Sequence, residues 1–133
     1  SGVDVYYNMY SKYQTQFIVY GFPSQGHSAK ALKESLIAEL DTLKTTLVDM
    51  KELERIQHQI IAQKTYEKNS IFGQATELGL LETVGLGWKK TEQYNQAILS
   101  ITPEQVQTAA QHYFQAKSMT TAELKPLKDK VKQ

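Results

Sequence analysis

Phe17-Ile18-Val19-Tyr20-Gly21-Phe22-Pro23-Ser24-Gln25-Gly26 is the stretch on which the fold turns. Its first four residues are β-branched or aromatic and apolar on both sides of the chain, which predicts a central, covered strand. The two glycines and the proline that follow predict a loop. Upstream, Val3 to Tyr10 has the same strand character, and the polar Ser11-Lys12-Tyr13-Gln14 between the two runs predicts a hairpin connection. Downstream the period changes. Leu32, Leu36, Leu40, Leu43 and Leu47 recur every three or four residues, which predicts a helix from about Ser28 to Leu47.

The helical pattern then continues. Asp49 with Glu52 reads as a capping box opening a second helix, whose apolar face is Leu53, Ile56, Ile60 and Ile61. That helix is expected to end near Lys68-Asn69. Ser70 caps a third, from Ile71 to about Val84, with Phe72, Ala75, Leu78 and Leu81 on one face. Gly73 and Gly79 inside it imply tight packing or a kink, since each costs ~1 kcal/mol relative to alanine. Gly85-Leu86-Gly87 reads as a stop. A short helix over about Thr91 to Leu99 follows. Thr102-Pro103-Glu104-Gln105 is a helix start with threonine at the cap, proline next and glutamine placed to close a capping box. Its inner face is Val106, Ala109, Ala110, Tyr113 and Phe114. Ser118 to Leu124 reads as a third strand. The expected fold class is therefore α+β: a small, mainly antiparallel sheet of about three strands, two N-terminal and one C-terminal, covered by four or five helices.

The bulk properties narrow the function classes. The 133 residues make about one domain. Fifteen basic and fourteen acidic residues give a net charge of +1, so no bulk field draws nucleic acid or an anionic membrane. With no cysteine, disulfides, thiolate metal sites and thiol nucleophiles are excluded. No apolar run approaches the ~20 residues of a membrane span. The chain opens on strand-like sequence after Ser1-Gly2, without a signal-peptide pattern, and reads as a piece of a longer protein.

Candidate chemistry is sparse. His27 lies in the loop, His58 on the charged side of the second helix, and His112 near the end of the last helix, where a positive charge suits the helix dipole. No His-x-x-x-His, His-x-x-Glu-His or Gly-x-Ser-x-Gly pattern is present, and Gly21 to Gly26 lacks the Lys-Ser/Thr ending of a phosphate loop. Glu52 and Glu54 read as solvated acids. Tyr6, Tyr7, Tyr10 and Tyr13 have the chemistry to stack bases, but only Lys12 accompanies them, so no nucleic-acid partner is expected.

The ordered landmarks are more specific than any one of them. They are a strand ending at Gly21, Ala31-Leu32 and Glu39-Leu40, Asp49-Met50-Lys51-Glu52-Leu53-Glu54-Arg55, Ser70, Ala75 with Leu78-Gly79, Gly85, Ile101 to Val106, Ala110, Tyr113-Phe114 and Leu124-x-Pro126. Over residues 3–126 this resembles the second half of a domain of the pitrilysin/insulinase-type zinc peptidases, the M16 family, in its processing-peptidase-like branch. Two departures stand out: Ile101-Thr102 is contracted relative to the family pattern, and Arg55-Ile56 replaces its Arg-Ala-Lys.

The resemblance implies a partial M16-like C-terminal domain over residues 1–126 and a lysine-rich tail over 127–133. It implies a non-catalytic domain that completes a substrate chamber and binds extended peptide, with no cofactor of its own and zinc in the parent's other domain. The partner is then a catalytic M16 domain, in the same chain or a separate subunit. The family's Arg-x-x-x-Gly-Leu-Ala-Tyr motif aligns its second part with Gly2-Val3-Asp4-Val5-Tyr6 after a one-residue shift, which makes Tyr6 the substrate-binding candidate; Tyr7 needs a two-residue shift. The alternative is a partner subunit of a degenerate relative without peptidase activity. An unrelated helical interaction module, free of sheet, is a third reading. Bacterial periplasm and cytoplasm are both compatible. An incomplete sheet further predicts self-association through an exposed edge.

Overall fold

A computed structural model describes residues 2–125. Strands β1 (Gly2–Tyr7) and β2 (Phe17–Phe22) come first. Five helices follow: α1 (Ala29–Thr45), α2 (Met50–Glu67), α3 (Ile71–Thr83), α4 (Lys90–Leu99) and α5 (Pro103–Tyr113), with a single 3-10 turn at Ala116–Ser118. The chain is α+β, as its change of hydrophobic period predicts.

Local signals set the helix ends. The Ser28 side chain accepts from the Ala31 amide at 3.1 Å, and Ser70 does the same for Gly73. At Thr102 the capping box closes in both directions: Gln105 N–H donates to Thr102 Oγ1 at 3.3 Å, and Thr102 N–H donates to Gln105 Oε1 at 3.0 Å. Helix α3 ends in a Schellman motif. The Leu86 amide donates to the Leu81 carbonyl, and the Gly85 amide to Glu82, with Gly85 at φ 81°. The expected box at Asp49 does not form, because Asp49 makes no side-chain cap bond. Glu52 turns the other way, gripping the Arg55 guanidinium at 2.6 and 2.8 Å one turn on.

β1 and β2 pair antiparallel from Gly2 opposite Phe22 to Tyr7 opposite Phe17. Residues directly opposite share a face. Val3, Val5, Tyr7, Phe17, Val19 and Gly21 therefore line one side, and Asp4, Tyr6, Ile18, Tyr20 and Phe22 the other. The first side meets the helices near β2. A side chain at Gly21 would lie 3.3 Å from Leu32, and the rings of Phe17 and Phe114 sit 4.8 Å apart. Phe17, Ile18 and Tyr20 remain 41–49% exposed, so β2 is not the covered central strand expected. Its second edge has no neighbour among the described residues.

The third strand is also overturned. Ser118 closes the 3-10 turn, and no strand occurs over 119–125, where Met119 is half exposed and Leu124 98% exposed. Threonine and methionine suit a strand, but a strand exists only when a ladder receives its amides, and this segment reaches neither hairpin edge. Pro126 and the tail at 127–133 lie outside the described residues.

Helix α1 packs on α5, and α2 on α4. The bond from Gln111 Nε2 to the Lys44 carbonyl at 2.8 Å ties the first pair. Gln57 ties the second, donating from one amide nitrogen to the carbonyls of Ile98 and Ile101 at 2.9 and 3.0 Å while only 6% exposed. Leu32, Leu36, Leu40 and Leu43 are half-buried along α1, whereas Leu47 lies beyond the helix and is exposed. Among the described residues the buried apolar side chains are Leu81, Pro103 and Ala110, with Leu81 fully enclosed. Six residues expected on inner faces are exposed: Ile56, Phe72 at 81%, Ala75, Leu78, Ala109 and Tyr113 at 70%. No described element encloses these side chains. Gly79 has open space around its α-carbon, so tight packing does not account for it; Gly73 does abut the Glu67 carbonyl.

Candidate functional site

On α2, Ile60, Gln63, Lys64 and Glu67 follow one another at spacings of three, one and three, which aligns them on one stripe. The end of β1 and the segment leaving it, Tyr6 to Tyr10, lie along this stripe. Tyr94 of α4 closes the far side. Together they bound a cleft of about 460 Å³. A second hollow of about 290 Å³ continues from it toward Phe72, Thr76 and Leu80 of α3, and the two share Tyr10, Lys64 and Glu67.

Lys64 is the hub. Its ammonium lies 2.8 Å from Glu77 Oε1 and 3.5 Å from Glu67 Oε2, and both Lys64 and Glu77 side chains are 12% exposed. The Tyr94 and Tyr10 rings stand 5.5 and 5.9 Å from the nitrogen, within cation–π range. The Tyr10 hydroxyl donates to the same Glu77 oxygen at 3.3 Å. Burial alone would push the Lys64 pKa down, yet the bond to Glu77 and the surrounding charges raise it, so the ammonium is held charged. Burial raises the Tyr10 pKa against the opposing pull of Lys64, with Glu77 adding to the rise. Together Lys64, Glu67 and Glu77 carry one net negative charge. The arrangement fastens the β1 exit to α2 and α3 and sets aromatic walls around a shallow cleft.

Tyr6 lines this cleft and is 56% exposed, opposite Ile18 in the hairpin. Tyr7 lines it as well, 6.5 Å from Phe17. Tyr13 stays outside, 79% exposed. The three histidines are exposed and lie far apart in sequence, on a loop, α2 and α5. His112 stacks edge-on with Tyr113 at 4.6 Å. Glu52 is held by Arg55, which lowers its pKa as expected of an exposed ion pair.

Sequence reasoning missed Gln57, Lys64, Glu77 and Tyr94. A signal was present for two of them. Leu53, Gln57, Ile60 and Lys64 run at spacings of four, three and four, so two polar residues interrupt the apolar stripe of α2. A polar residue on such a stripe calls for a buried partner.

No known family matches the chain, and no curated protein is similar to it. No helix among the described residues is long and apolar enough to cross a membrane. Nor do three or more His, Asp or Glu side chains converge there to hold a metal ion.

Proposed function

We propose that the chain is a peptide-holding, non-catalytic module, acting as the distal part of the C-terminal domain of an M16-type zinc peptidase. Its role is to close a chamber whose zinc half lies elsewhere in the parent or in a partner subunit. The observation that carries this reading is the junction of β1 with the cleft. β1 pairs with β2 on one side, and no described strand lies on its other side. At its C-terminal end the aromatic cleft opens beside Tyr6. An extended peptide adding to β1 gains main-chain hydrogen bonds from the edge and delivers a side chain to the cleft. Tyr6 contributes ring surface at that point.

The test is binding of a fluorescently labelled, unstructured peptide mixture, read by anisotropy, with the products checked by mass spectrometry. The reading expects binding that a chelator leaves unchanged, no cleavage, and about tenfold weaker binding for Tyr6→Ala, in keeping with the loss of one aromatic contact. Chelator-sensitive cleavage by the chain alone, or binding indifferent to Tyr6, contradicts it. Cleavage that appears only when a protein bearing His-x-x-Glu-His and a distant glutamate is added identifies the zinc half.

A further inference from the structure

The two edges of the hairpin are not equivalent. β1 carries Asp4, and its far end runs into the cleft. β2, Phe-Ile-Val-Tyr-Gly-Phe, has no charge, no proline before Pro23 and no bulge in its register. These are the devices by which edge strands avoid pairing, and β2 lacks all of them.

The surface area gives the scale. A compact monomer of 15.1 kDa exposes about 7,100 Å². This chain exposes 11290 Å². The nine residues outside the described range account for at most about 1,500 Å² of the difference, at the ~165 Å² per residue of an unfolded chain. More than 2,000 Å² of the excess remains by the same scaling, while a stable interface removes only about 800 Å² from each partner. Ile18, Tyr20 and Phe22, on the side of the hairpin away from Gly21, are 41%, 49% and 69% exposed. With a net charge of only +1, two copies meet no bulk repulsion.

We propose that β2 pairs antiparallel with β2 of a second copy, giving a four-stranded sheet in the order β1-β2-β2-β1. The two-fold axis stands perpendicular to the sheet and passes Val19. Val19 then faces its own copy. Ile18 faces Tyr20, a β-branched and aromatic pair of the kind that stabilises antiparallel ladders. Phe17 faces Gly21, which has no side chain of its own to oppose the ring. The β1 edges remain outermost and unobstructed. The pairing stands independently of the peptide-binding reading.

Sedimentation velocity over a concentration series, together with single-cysteine cross-linking, tests it. The protein has no cysteine, so introduced ones report unambiguously. A dimer that dissociates on dilution is expected. Val19→Cys cross-links under mild oxidation, because opposed residues on adjacent strands lie ~5 Å apart. Val5→Cys, opposite Val19 on β1, does not, since three strand spacings of ~4.8 Å separate it from its copy. Val19→Lys, which sets lysine against lysine, weakens the dimer more than about tenfold. Circular dichroism confirms that each variant keeps its helices. A strict monomer at every concentration, or Val5→Cys cross-linking as readily as Val19→Cys, overturns the proposal.

Discussion

The hairpin and the helical body solve the same problem in opposite ways. In the helices, exposed backbone ends are closed by residues only three positions away, as at Ser28, Ser70 and Thr102. Buried carbonyls at the α4–α5 corner are met by Gln57 from α2. In the hairpin, each strand has a partner on one side only, and its large apolar residues, from Val3 to Phe22, are mostly 40–70% exposed. The body closes its own backbone ends while leaving Tyr66, Ile71, Phe72 and Tyr113 exposed, whereas the hairpin leaves whole strand edges open. A segment can thus have strong strand chemistry and contribute little to the stability of the isolated chain.

Substitutions sharpen that contrast in descending order of effect. Leu81→Ala opens a cavity at the most enclosed side chain described and is expected to cost about 3 kcal/mol in urea unfolding followed by helical circular dichroism. A loss below about 1 kcal/mol would mean that the body lacks a packed centre. Gln57→Ala strips two carbonyls of their donor and is expected to cost about 2 kcal/mol by the same measurement.

The Lys64 hub gives a pH dependence. Both Lys64 and Tyr10 have folded-state pKa values raised above their unfolded ones. Their protonated forms therefore stabilise the fold fully below pH 10, and this stability is lost as pH rises through the folded values. Unfolding midpoints should be level from pH 7 to 9 and fall above about pH 10, with Tyr10→Phe flattening part of the fall. A midpoint that instead rises with alkali would break the account of the hub.

Phe22→Ser, in the hairpin, is expected to change the unfolding free energy of the diluted chain, followed by helical circular dichroism, by less than about 0.5 kcal/mol, because its ring is 69% exposed. A large loss would show that the sheet is integral to the body.

The same division explains what the sequence revealed. Helix starts at Ser28, Ser70 and Thr102 and the stop at Gly85 were legible because the groups that close them lie within a few residues. The hairpin was legible from two β-rich runs around a polar connection. Asp49 misled because Glu52 had a competing partner, Arg55, that the capping pattern does not weigh. The strand expected at Ser118 to Leu124 failed because pairing is non-local and no pattern within the segment supplies an edge. In the candidate site, Tyr6 was singled out through resemblance and does line the cleft. Lys64, Glu77 and Tyr94 come from three different helices, and their meeting depends on how α2, α3 and α4 pack. Only the polar interruptions at Gln57 and Lys64 announced that something was buried there.

Amide hydrogen exchange on the diluted, monomeric chain tests the central contrast most directly. The account predicts strong protection in α1, α2 and α5 and exchange in the β1–β2 ladder many times faster. Protection of the ladder should rise when peptide is added or the chain is concentrated. Ladder amides as protected as those of α1 and α5 in the free monomer would contradict it, since the hairpin would then belong to the self-sufficient core.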